Sequence, residues 1–176
     1  MSGTITKIFQ KAPVVSVGAY VTAGGAGSLT DVGYTEGGVE ISVNHEDTVI
    51  SPDQEPGNVA HFPVMTDFSM KFTMLEATVD NLLTALRQAA ANKTGTTPDF
   101  TLEIGEGSEA YLQIQLVGKG GGTTGVRTVT VWRGIVASVE PIGQKKNEPT
   151  KVAVTVNCLR DPSVSAAGKH MKLVET

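Results

Sequence analysis

The sequence predicts a mainly β fold with a single α-helix, and three observations carry that expectation. Apolar and polar residues alternate with period 2 over residues 39–44, 67–74 and 151–158, the mark of strands with one dry and one wet face. The 20 glycines fall with other turn residues between β-branched runs. Only residues 78–92 carry a helical stripe, with Val79, Leu82, Leu83 and Leu86 on one side, Thr78 as N-cap, Asp80 in the first turn and Gly95 as the stop. Those four side chains are the expected packing face of the helix.

Taken in order, residues 1–30 read as an N-terminal arm holding a strand near residues 14–21 and a glycine-rich tip at residues 23–28. Such an arm packs on its own domain or crosses to a neighbour. In residues 31–44, Val39, Ile41 and Val43 alternate with Glu40, Ser42 and Asn44. A polar segment at about residues 45–66 follows, with Pro52, Asp53, Glu55, Pro56, Gly57 and Pro63, and reads as a long loop. Phe68, Met70, Phe72 and Met74 then alternate with Asp67, Ser69, Lys71 and Thr73 and lead into the helix.

Beyond the helix, residues 100–104 and 112–116 read as the two arms of a hairpin. Residues 126–140 form a long strand interrupted at Arg133-Gly134, where a charge on an apolar face predicts a bulge or bend of the kind that carries a strand from one sheet to another. Residues 141–149 are a polar turn. Val152, Val154, Val156 and Cys158 alternate with Lys151, Ala153, Thr155 and Asn157, and Asp161-Pro162 closes that strand. The last residues, about 162–176, hold too little apolar character to predict order and read as a C-terminal tail. One domain over the 176 residues is the expectation.

Charge and composition exclude several functions. A formal net charge of −4, a pI near 5.3 and no basic run beyond Lys145-Lys146 give nothing built to grip phosphates. An acidic balance also suits a wall that a polyanion passes without sticking. Aromatic content of 5% argues against a stacking platform. The single cysteine, Cys158, lies in phase with the valines of its strand and reads as a buried apolar thiol. The first residues lack the basic and apolar regions of a signal peptide, and no apolar run reaches membrane-spanning length, so folding in a cytoplasm is expected.

The candidate chemistry is thin. Residues 120–125, GGGTTG, fit the glycine spacing of a dinucleotide fingerprint, but Val126, Thr128 and Val129 that follow predict a strand where pyrophosphate binding needs a helix N-terminus. His45, Glu46 and Asp47, with His61 across the loop, offer metal-ligand types, but only His45 and Asp47 share a strand face, and the third and fourth ligands that a site needs are not identifiable. His170 stands apart, and no serine or cysteine is placed with histidine and carboxylate for nucleophilic catalysis. The expectation is no enzyme, no cofactor and no metal.

Gly33-Tyr34-Thr35-Glu36-Gly37-Gly38-Val39, a strand, the long loop, and then Leu75-Glu76-Ala77-Thr78-Val79-Asp80-Asn81-Leu82 together resemble the major tail tube protein of long-tailed, siphovirus-like bacteriophages. The likeness spans roughly residues 31–90. It implies a β-sandwich or β-barrel of the tail tube type that assembles with itself into hexameric rings, stacked as the conduit for DNA ejection. About four strands from each subunit would give about 24 around a channel on the order of 40 Å across. The implied partners are the tape measure protein, the tail terminator and baseplate or tail tip proteins. DNA would pass without specific binding, no membrane is involved, and the location is the virion tail, assembled in the host cytoplasm.

On that resemblance the loop contacts the next ring, with Asp47, Asp53, Glu55, Asn58 and His61 as candidates. Glu40, Ser42, Asn44, Ser69, Thr73, Thr155 and Asn157, the polar faces of the alternating strands, are the candidates for the channel wall. The inner tube of a contractile tail or secretion-type injection machine fits the same pattern. A β-sandwich decoration or receptor-binding module is the alternative of another class, and would need an exposed aromatic cluster.

Overall fold

The computed structural model describes residues 12–22, 27–50, 60–107, 110–120, 125–143, 146–164 and 170–176. It is mainly β with one α-helix, as the alternation predicts. The strands are β1 (Val14–Ala19), β2 (Thr30–Asp31), β3 (Thr35–Ile50), β4 (Ala60–Met74), β5 (Lys93–Thr96), β6 (Asp99–Leu102), β7 (Leu112–Lys119), β8 (Val126–Val139), β9 (Val152–Leu159) and β10 (Met171–Glu175), with α1 (Val79–Ala85) between β4 and β5. All pairings are antiparallel. One sheet runs β2-β1-β7-β8-β9-β4-β3 with β10 also on β8, and β5-β6 form a separate ribbon.

The large sheet is rolled. Flat, its end strands β2 and β3 would stand roughly 29 Å apart, six steps of about 4.8 Å. They are joined by only Val32, Gly33 and Tyr34, and four residue steps reach at most about 14 Å. Rolling brings Val17 of β1 to the same small cavity as Phe72 and Met74 of β4, together with Ile114, Val136, Val154 and Ala85. These side chains belong to one core, completed by Val15, Met70, Leu116, Val129, Val131, Val152, Val156 and Cys158. Burying aliphatic side chains at about 1.5–3 kcal/mol each is the main force holding the roll.

Four segments differ from the sequence reading. The loop expected at residues 45–66 is mostly strand, because β3 and β4 stay paired from Thr35↔Met74 out to Ile50↔Ala60. Polar residues and Pro63 are tolerated there because the ribbon is solvated on both sides. The helix ends at Ala85 rather than near residue 92. Leu86 caps it, Arg87 turns left-handed at φ 55, and a short 3-10 turn covers Ala90–Asn92. The buried Gln88 side chain enforces the stop, donating to the Leu86 and Gly105 carbonyls at 2.8 and 3.2 Å and accepting from Gly105 N and Asn92 Nδ2. Thr78 does act as N-cap, accepting from Asn81 N at 3.2 Å.

The expected 100–104/112–116 hairpin does not form. Both edges of β7 are taken, by β1 and β8, and β6 finds its partner in the nearer β5. That ribbon is tied to α1 through Lys93, whose ammonium lies 2.7 and 2.9 Å from the Asp80 carboxylate oxygens and 4.3 Å from the Phe100 ring centroid. Finally, the tail expected from residue 162 contains a strand. Residues Met171–Glu175 pair with Arg127–Val131 of β8, in line with β9, since β8 outruns β9 and leaves backbone groups that need partners.

The bulge expected at Arg133 is present. Between Leu112↔Gly134 and Ile114↔Val131, two β8 residues, Trp132 and Arg133, oppose the single residue Gln113. Arg133 thereby leaves the core side and stacks 3.8 Å from the Tyr111 ring centroid and 5.7 Å from that of Tyr20. The glycine tip at residues 23–28 lies largely outside the described residues. The 120–125 run links β7 to β8, with Gly120 N donating to Gly125 O at 2.7 Å and no helix behind it.

Candidate functional site

Two surfaces stand out, and both are built on β3 and β4. The first is an arm. β9 pairs with β4 only from Met74 back to Phe68, so beyond that point β3 and β4 continue alone through seven pairs, Asn44↔Asp67 to Ile50↔Ala60. At about 3.3 Å per residue this ribbon projects roughly 20 Å from the body. No other described strand pairs with it. Every residue of β3 from Glu40 to Ile50 is exposed.

The arm and its root carry apolar side chains on both faces. Register places Ile41, Val43 and Val49 on one side and Ile50, Phe62 and Met65 on the other, with Val64 at the irregularity between Glu46 and Asp47. Their exposures run from 39% for Ile41 to 53% for Phe62 and 61% for Val64. A two-stranded ribbon in water is marginal by itself, and exposed apolar groups clustered on both faces are of the kind found at interaction surfaces.

Of the inter-ring candidates, Asp47 sits in the arm opposite Pro63, and His61 contributes backbone opposite Val49. Asp53, Glu55 and Asn58 lie outside the described residues. His45, weighed as a metal ligand, has Nδ1 3.1 Å from Thr66 Oγ1. Among the described residues no three His, Cys, Asp or Glu side chains converge as a metal site. The arm's apolar residues escaped the sequence reading because prolines and carboxylates around them suggested a solvated loop. Phe62, Val64 and Met65 were the available signal.

The second surface is a polar face. Cross-strand partners in an antiparallel sheet share a side. The registers therefore join Glu40, Lys71, Thr155 and Ser138 in one row, Ser42, Ser69 and Asn157 in the next, and Glu36, Thr73 and Ala153 in a third. Asn44 extends it opposite Asp67. All seven channel-wall candidates thus lie on one continuous face, opposite the core. Core and α1 occupy the other side of the same strands, through Met70, Phe72, Val154, Val156 and Ala85.

Two lysines sit among these polar residues, and each is paired. Lys71 Nζ is 2.6 Å from Glu140 Oε1, and Lys151 Nζ lies 2.8 and 2.6 Å from the two oxygens of Glu36. The hydrogen bond to Glu140, then its charge, and further Glu40 hold the Lys71 ammonium above its ordinary pKa.

The helix candidates divide. Leu82 packs against the core, while Val79, Leu83 and Leu86 are half-buried. The buried residues of α1 are Asn81 and Ala85. Asn81 Nδ2 donates to the Val32 and Glu76 carbonyls at 2.8 and 2.7 Å, fastening the helix to the β2–β3 connection. A scan against protein-family models and a search of characterised proteins both return no match. Among the described residues no helix is long and apolar enough to cross a membrane.

Proposed function

We propose that the chain is a structural subunit that polymerises with itself into stacked hexameric rings, forming the tail tube of a long-tailed phage through which DNA is ejected. The observation that carries this reading is the projecting β3–β4 arm with exposed apolar side chains on both faces. A neighbouring subunit is the simplest partner able to cover both sides of a ribbon at once, and repetition of such a heterologous contact produces rings or filaments. The polar face, made of small and acidic residues on the root of the same hairpin, supports its use as a channel wall. The sequence resemblance supplies the identity of the conduit.

Stacking uses the arm, and ring closure uses the free outer edge of β3, whose pairing with a neighbour removes an exposed sheet edge. Negative-stain electron microscopy of the purified protein, fresh and after concentration, tests the proposal. Stacked rings with a central channel are the expected result. Compact closed oligomers without a channel would overturn it and favour a binding module.

A further inference from the structure

The polar face poses a problem that its ion pairs answer. A surface that lets duplex DNA slide past must not offer free ammonium groups, because each lysine that neutralises a phosphate releases counterions and adds to retention. The face nevertheless contains Lys71, in the row of Glu40 and Thr155, and is flanked by Lys151, the residue before β9 and in phase with Ala153, Thr155 and Asn157. As unpaired cations they would be points of adhesion among the polar and acidic residues of these rows.

We propose that Glu140 and Glu36 serve as charge masks, each holding one lysine in an ion pair so that neither ammonium is free to meet a passing polyanion. The inference rests on the reading of this face as a DNA channel wall. Its geometry is specific. Lys71 projects from near the C-terminal end of β4 and reaches across β9 to Glu140, just past the end of β8, at 2.6 Å. Lys151, just before β9, reaches Glu36 near the start of β3 at 2.6 Å. Each pair crosses the sheet rather than joining neighbours in sequence, with separations of 69 and 115 residues.

Side-chain exposures of 45–59% leave the four groups accessible to a polyanion. Exposed ion pairs add little to stability, with a typical worth of about 0–1 kcal/mol. Their role here is electrostatic. A phosphate approaching a paired ammonium meets a dipole with a carboxylate already in the contact position, and must displace that carboxylate to bind. Glu40 opposite Lys71 and Asp67 opposite Asn44 add negative charge around the pairs.

The test uses the full-length chain on duplex DNA immobilised on cellulose, at about 10 mM salt where weak cation–phosphate contacts are strongest. Wild type should elute unretarded. The variant Glu36→Gln/Glu140→Gln frees both lysines and should be retarded, with release as salt rises and a logarithmic slope near −2, as two phosphate contacts require. Adding Lys71→Gln and Lys151→Gln should abolish the retardation. The control Glu103→Gln/Glu106→Gln makes the same change in net charge away from the face and should elute as wild type does.

An unretarded, folded Glu36→Gln/Glu140→Gln variant would overturn the proposal, as would equal retardation of the control. The single substitutions, each freeing one lysine, give a second reading should the double variant fold poorly. The measurement needs no assembly, so its failure is separable from failure of the tube reading, which electron microscopy of wild type decides.

Discussion

The carboxylate of Glu76 accepts the amide of Tyr34 at 3.2 Å, while Leu75 N donates to the Tyr34 carbonyl at 2.8 Å. The two halves of the motif on which the sequence resemblance rests, more than 40 residues apart in the chain, therefore meet at the corner where the rolled sheet closes. Gly33 adopts φ 83 there, and a Cβ would run into the Glu76 carboxylate. Gly33→Ala should lower stability by about 1–3 kcal/mol through strain and displacement of Glu76. Glu76→Gln, which keeps an acceptor oxygen, should cost less, and urea denaturation of both variants checks the order.

Apolar residues of the arm should matter for assembly and not for the monomer. Phe62→Ser, Val64→Ser and Met65→Ser alter exposed positions, so each monomer should stay within about 0.5 kcal/mol of wild type. Assembly read by sedimentation should fall sharply. A large loss of monomer stability would mean that the arm folds back on its own body.

Asp161 is fully buried after β9. Burial alone would raise its pKa, but hydrogen bonds from the Ser163 hydroxyl and amide, with the nearby Tyr20 hydroxyl and the charge of Arg133, outweigh it and hold the carboxyl below its ordinary value. A depressed folded value means that Asp161 contributes stability above its unfolded pKa, and that this contribution is lost as pH falls through the folded value. Asp161→Asn should therefore be destabilising near pH 7 and should flatten the acid limb of the stability–pH curve.

The Cys158 thiol is pushed up to about 11 by burial. Iodoacetamide at pH 8 should leave it unmodified in the folded protein and alkylate it fully in denaturant, as mass spectrometry would show.

If the proposed tail tube reading holds, lysines introduced on the polar face should slow DNA. Ser42→Lys adds a cation opposite Ser69, and Thr73→Lys adds one opposite Glu36, which already holds Lys151; in a phage with well-formed tails they should delay genome release. Unchanged ejection kinetics would place the channel wall on another face.

Period-2 alternation was enough to identify most strands and to put the polar candidates of each strand on one side of that strand, because each strand's phase is local. Whether those phases align across strands is set by register, which the sequence states only indirectly. The ion pairs Lys71–Glu140 and Lys151–Glu36 were hidden for that reason. The early helix end was hidden because Gln88 acts through Gly105, a contact outside any local window. β10 was missed because its order comes from the unfilled edge of β8, and not from Leu173 and Val174, which stay exposed.

The strand order β8-β9-β4-β3 also sets a timetable. The β3–β4 hairpin is complete once Met74 has emerged from the ribosome, but β9, which covers the inner edge of β4, begins at Val152, 78 residues later. At about 5–20 residues per second that interval lasts roughly 4–16 seconds. Throughout it the inner edge of β4 lacks its β9 partner and the core around Met70, Phe72 and Met74 is incomplete. Synthesis speed between codons 75 and 152 is therefore under pressure from the fold itself, and slowing translation there should raise the fraction of chains lost to premature association.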